Sequence, residues 1–157
     1  MKKRILTMAL ALACLAFASA ALAETFTGGS VTTEVPSGWT TMYNEPTKQA
    51  IVASPKEECV ASIQVIPTDG KDAKQLAEML SGQLKGSTPE ALDNGGYFFT
   101  ADAGGVPMGI TVVTSDNKAL VFMEIGETSK YPDELKAIRA SLHSDAADEQ
   151  KMLETLK

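Results

Sequence analysis

The stretch Val35-Pro36-Ser37-Gly38-Trp39 decides how this chain is read. A β-like run, Ser30 to Glu34, leads into it. Pro36 fixes its own φ and lacks a backbone donor, and Gly38 accepts backbone conformations that other residues resist. Together they end the run in a bend. Trp39, the only Trp, is the largest apolar side chain available to fill a core. The stretch reads as an architectural corner, not as a reaction centre.

Residues 1–23, on the N-terminal side, read as a Sec-type signal peptide. Met1-Lys2-Lys3-Arg4 is a basic head, and Ile5 to Ala18 is an apolar run short of the ~20 residues a membrane span needs. Ala21-Leu22-Ala23 is an A-x-A cleavage site. A lipoprotein anchored at Cys14 ranks second, because Ala11 rather than Leu stands three residues before that Cys. The expectation is a soluble periplasmic protein. Cleavage removes three basic residues and takes the formal net charge from −6 to −9. That acidity argues against nucleic acid and anionic membrane surfaces as partners.

Residues 24–143 read as one domain. Thr25 to Ser30 is a short polar lead-in. Short strands are expected at Val31–Glu34, Thr40–Tyr43 and Ala50–Ala53, and a longer one at Cys59–Ile66. In the last, Cys59, Ala61, Ile63 and Val65 share one face. A helix follows over Ala73–Lys85. Asp72 is its N-cap, Gln75 completes the capping box, and Gly86 is its stop. Gly82 inside it suggests close approach to a neighbour. Asn94-Gly95 signals a type I′ hairpin turn. Strands Tyr97–Ala103, Val106–Thr114 and Ala119–Ile125 then meander through Gly104-Gly105 and Ser115-Asp116-Asn117.

The strand Ala119–Ile125 is apolar on both sides, so it belongs at the centre of a sheet covered on both faces. A second helix starts at Pro132, with Tyr131, Leu135, Ile138 and Leu142 as its buried stripe. Residues 144–157 are a charged tail, in which Asp145 is a candidate cap for a short helix carrying Met152, Leu153 and Leu156. The fold class that follows is α+β: an antiparallel sheet of six or seven strands flanked by helices on both faces.

The Pro36-Ser37-Gly38-Trp39 corner, the order of elements and the ending Ile138-Arg139-Ala140-Ser141-Leu142 resemble the PsbP-like superfamily of α/β/α sandwiches, which includes small envelope proteins of the DcrB type. The resemblance spans Ser30 to Leu142. It implies the sandwich fold and a mostly non-catalytic role, and brings no ligand or catalytic set.

The residues agree in offering no reaction centre, so no catalytic, cofactor-binding or metal-ligating residue is assigned. His143 is the only His and suits the negative end of a helix dipole. Cys59 reads as a small buried hydrophobe. Glu57-Glu58 read as a solvated turn. Asp69, Gly70 and Asp72 lack EF-hand spacing, and capping by Asp72 accounts for them better. Gly104 to Gly109 is a hairpin with no helix behind it. Glu124 interrupts the apolar face of Leu120 and Phe122 and reads as a strand end near solvent, the alternative being a buried carboxylate marking a site. Among the aromatics, Phe98 should face away from Tyr97 and Phe99, and with Tyr43 they allow a partly uncovered surface.

The leading expectation for function is an exported, non-catalytic binding or assembly module whose partner is another envelope protein. The alternative is a small-molecule or lipid carrier with a cavity between sheet and helix lined by Met79, Met108 and Met123. A carboxylate hydrolase comes last, because nothing supplies a base and a nucleophile.

Overall fold

Two sheets grow out of the Pro36–Trp39 corner in the computed structural model, which describes residues 24–157. The signal-peptide reading and the Cys14 alternative fall on residues 1–23, outside the described residues. Before the corner, β1 (Glu24–Gly28) and β2 (Val31–Val35) form a two-stranded antiparallel hairpin. After it, β3 (Thr40–Asn44) starts a seven-stranded antiparallel sheet. The corner is a β-turn: Trp39 N–H donates to the Pro36 carbonyl at 3.1 Å. Gly38 sits at φ +79°, as the third position of a type II turn requires.

The large sheet continues through β4 (Gln49–Ala53) and β5 (Cys59–Pro67). Helix α1 (Ala73–Leu84) carries the chain to the far edge. There β6 (Glu90–Ala91), β7 (Tyr97–Asp102), β8 (Pro107–Ser115) and β9 (Lys118–Gly126) meander back. The strand order is β3-β4-β5-β9-β8-β7-β6, so β9 is central, as its two apolar faces predict. Helices α2 (Pro132–Ser141) and α3 (Ala147–Glu154) close the chain.

The alternation of β9 divides the core in two. Leu120 and Phe122 join Ala61, Ile63 and Val52 beneath α2, α3 and the hairpin. Ala119 and Val121 join Ile110, Val112 and Phe99 beneath α1. The α+β sandwich with helices on both faces is therefore observed. Cover on the α1 side is uneven. The helix lies over β7 and β8, leaving Ile51, Val60 and Ile125 half-buried and Met42 55% exposed.

Several local expectations change. The lead-in before Ser30 is strand β1, since Glu24 to Gly28 pair residue for residue with Val35 to Val31. The hairpin is held to α2 through β2. Thr32 and His143 exchange backbone bonds of 2.8 Å, and Ser141 Oγ lies 2.9 Å from Thr33 Oγ1 and accepts from Glu34 N–H at 2.9 Å. Trp39 is half-buried, packed edge-on against Tyr131 with ring centres 5.4 Å apart. It caps one end of a core and does not fill it.

The Asn94-Gly95 turn is not type I′. Gly95 N–H donates to the Leu92 carbonyl at 3.0 Å and only Gly95 has positive φ, giving a three-residue loop of a type I turn followed by a left-handed Gly. Helix α1 has the expected capping box, but the left-handed residue ending it is Lys85, at φ +52°. Gly86 is required for space: a Cβ there would lie 2.6 Å from the Thr100 carbonyl oxygen. Gly82 makes no close approach, because a Cβ there would meet nothing within 4 Å. At the chain end, Ala146 rather than Asp145 is the N-cap of α3. That helix buries Met152 and Leu153 in the core despite its thin stripe.

Candidate functional site

The tip of the β1–β2 hairpin overhangs one end of the large sheet. Gly29 and Ser30 close it as a two-residue turn, with Gly29 at φ +64°; positive φ at the first turn position is the type II′ arrangement, whose twist suits paired strands. Two glycines let the tip sit low. A Cβ on Gly28 would lie 2.6 Å from Ala50 Cβ, and one on Gly29 would lie 2.7 Å from Tyr43 Oη.

Between tip and sheet is a cleft of about 680 Å³. Such a volume falls within the ~300–1,000 Å³ typical of small-molecule sites. Ile63, Val65, Ile66 and Pro67 of β5 and Val31 of β2 give it an apolar lining. Ile63 is buried, while Lys48 and Asn117 are exposed at the rim. Tyr43, Lys118 and Glu149 complete the wall.

The charges sort into two groups. Lys118 Nζ lies 2.7 Å from Glu149 Oε1 and 3.0 Å from Asp148 Oδ2. Ser144 Oγ donates to Glu149 Oε2 at 2.9 Å. Burial pushes the Glu149 carboxyl up, but Lys118 and the Ser30 and Ser144 hydroxyls outweigh it and hold the group below its ordinary range. Hydrogen bonds to Glu149 and then Asp148 raise Lys118 in turn. These three charges answer one another and pin α3 to the β8–β9 turn. In contrast, the side chains of Tyr43, Lys48 and Asn117 line the cleft with no hydrogen bond or ion pair to the described residues. The cleft thus joins an apolar lining to three polar side chains that the fold leaves unpaired among the described residues. Glu149, the carboxylate that lines the cleft, is committed to Lys118 and Ser144.

The residues singled out in the sequence lie elsewhere. Met79 is exposed on α1, and Met108 and Met123 are half-buried beneath that helix, on the opposite side of the sheet. The three do not line a common cavity, so the expected carrier cavity is misplaced. Cys59 is fully buried, and burial, followed by Glu124 and Glu134, pushes its thiol up to about 11. Such a thiol is a packing group. Glu124 is neither a free strand end nor a lone buried carboxylate: it is ion-paired with Arg139 of α2.

Glu58 is not simply solvated. It accepts from Tyr131 Oη at 3.1 Å and pairs with Lys130 at 3.5 Å, contacts that hold its carboxyl below the usual range. His143 points its ring at Asp145, 3.3 Å away on the surface, and only its backbone engages the fold. Asp72 caps α1 through Gln75 N–H at 2.8 Å. Phe98 faces away from Tyr97 and Phe99, as expected. Among the described residues, no cluster of three or more His, Cys, Asp or Glu is placed to hold a metal ion.

The cleft residues escaped the sequence reading because they come from five separated segments. Only Gly28-Gly29-Ser30 carried a local signal. It stands between two Thr-rich runs, a hairpin pattern that is visible once Glu24–Gly28 is read as a strand.

No protein-family model matches the chain, and no curated protein matches it. Solved structures do. A crystal structure from Bacteroides thetaiotaomicron superposes with a TM-score of 0.53 at 14% identity, over 80% of this chain and 50% of that one, so this chain spans about half the length of that protein. The cyanobacterial PsbP protein (CyanoP) of Synechocystis gives a TM-score of 0.47 at 12% identity, over 85% and 99% of the two chains. LpqN, involved in cell envelope biogenesis of Mycobacterium tuberculosis, gives 0.43 at 15% identity, over 76% and 83%. At such identities the likeness is one of fold.

Proposed function

We propose that the protein is a non-catalytic binding module of the bacterial cell envelope, and that its working site is the cleft beneath the β1–β2 hairpin, where it holds a small molecule with an apolar body. One observation carries the reading. A cleft of about 680 Å³ joins an apolar lining to three polar side chains that the fold leaves unused. The signal-peptide reading of residues 1–23 supports an exported location, and among the described residues no helix is long and apolar enough to cross a membrane. The finer resemblance to DcrB-type proteins, carried by the Pro36–Trp39 corner and Ile138–Leu142, belongs to the same proposal.

Native mass spectrometry of the protein purified from its source organism tests it. A co-purifying species on the wild type, absent from a folded Val65→Trp variant that fills the cleft, is the expected result. Bare protein in both samples, across several growth conditions, counts against the cleft.

A second reading has its own observation. Strand β3 ends the sheet order and is made of Thr40, Thr41, Met42, Tyr43 and Asn44, without the charge or Pro that usually guards an edge. An extended segment of another envelope protein could add there as an eighth strand of the large sheet. In-cell crosslinking from Thr40 or Met42 should then capture one reproducible protein, and its failure would set this reading aside.

A further inference from the structure

Resting on the cleft reading above, we infer that its ligand is an anionic amphiphile: one carboxylate or phosphate head at Lys48, on an apolar chain lying along Val31, Ile63 and Val65. Charge pairing decides the sign. Of the two ammonium groups lining the cleft, Lys118 is answered by Glu149 at 2.7 Å and Asp148 at 3.0 Å. Lys48 has no carboxylate within ion-pair distance among the described residues, so it is the uncompensated charge of the cleft. The two other unused polar groups, the Tyr43 hydroxyl and the Asn117 amide, can both donate. Donors gathered around one positive charge favour an anionic acceptor.

The apolar half of the lining asks for more than a bare anion. Inorganic phosphate or acetate would leave Val65 and Pro67 facing water, whereas a hydrocarbon chain takes their apolar surface and its own out of water. The chain's acidity does not oppose this. Formal net charge repels a membrane surface or a polyanion, but exposed charges act on one another only within about 8 Å at physiological ionic strength. A single head group senses Lys48 first.

Calorimetric titration of the purified protein with four probes tests the inference: sodium laurate, dodecyl phosphate, dodecyl maltoside and inorganic phosphate, each kept below micelle formation. Either anionic amphiphile should bind saturably at one site, and the tighter of the two identifies the head. Dodecyl maltoside, with the same chain and no charge, should bind at least about tenfold more weakly, the effect of losing one charge-assisted hydrogen bond. Inorganic phosphate alone should not bind.

Lys48→Gln should bring the anions down to the maltoside level, while Lys136→Gln, the same charge change on α2, should leave them unchanged. Val65→Trp should abolish binding of every chain. Circular dichroism checks that each variant is folded. Equal affinity for charged and uncharged heads, or affinity indifferent to Lys48→Gln, overturns the head-group assignment and leaves the cleft standing. Absence of binding by all amphiphiles overturns the inference, and mass spectrometry of the source protein then judges the cleft separately.

Discussion

Two glycines near the end of α1 make opposite predictions. Gly82 is exposed and helical, and a methyl group there would meet nothing within 4 Å, so the glycine costs helix propensity without relieving any contact. Gly82→Ala should stabilise the protein by about 1 kcal/mol. Gly86→Ala should destabilise it, because the new methyl would sit 2.6 Å from the Thr100 carbonyl oxygen, a backbone atom that cannot swing aside. Urea unfolding of the two variants beside wild type reads both signs; a stabilised Gly86→Ala would mean that β7 gives way easily. Trp39 belongs to the same scale. Half-buried against Tyr131, it should lose less on Trp39→Ala than the ~3–5 kcal/mol of a fully buried aromatic. A larger loss in the same unfolding experiment would show the corner to be a core residue after all.

Among the elements, α3 is the one whose docking depends on charge. Glu149 is held below its ordinary value of 4.5, so its pairing with Lys118 adds stability above that pH and loses it as pH falls through the lowered value. Lys118 is held above its ordinary 10.5, so its share is present below that pH and lost as pH rises through the raised value. The clamp is therefore complete between those limits and fails first on the acid side. Unfolding free energy followed downward from pH 5 should fall less steeply in Lys118→Gln than in wild type. Parallel curves would show that Ser144 and burial of Met152 and Leu153 hold α3 unaided.

The elements also show where the sequence was legible. The period-two face of Cys59–Val65, the capping box at Asp72 and the double apolar character of β9 are local patterns, and each fixed its element and its place. Strand β1 was hidden because Glu24 to Gly28 has no buried alternation; it is a strand only because Val31 to Val35 lies opposite. Helix α3 was undervalued because a thin stripe is enough when the pocket for Met152 and Leu153 is supplied by β8 and β9. The cleft was illegible for a stronger reason. Gly29, Tyr43, Lys48, Val65 and Asn117 are distant in sequence, and no spacing rule links a hairpin tip to the ends of β3, β5 and β9.

For the whole molecule, the two sides of the sandwich differ in how they are covered. One side of the sheet is filled by α2, α3 and the hairpin, and the hairpin roofs the cleft. The other side is only partly covered by α1 and runs out to the bare edge at β3. In the readings proposed above, the first would hold the small ligand and the second would take the added strand. The most direct test of the cleft is a two-dimensional amide NMR titration of labelled protein with a lipid and small-molecule extract of the source envelope. The cleft account predicts shifts concentrated at Gly28 to Val31, Tyr43 to Lys48, Ile63 to Pro67 and Asn117 to Lys118. Shifts confined to Met42, Ile51, Val60 and Ile125 on the uncovered side, or none at all, would contradict it.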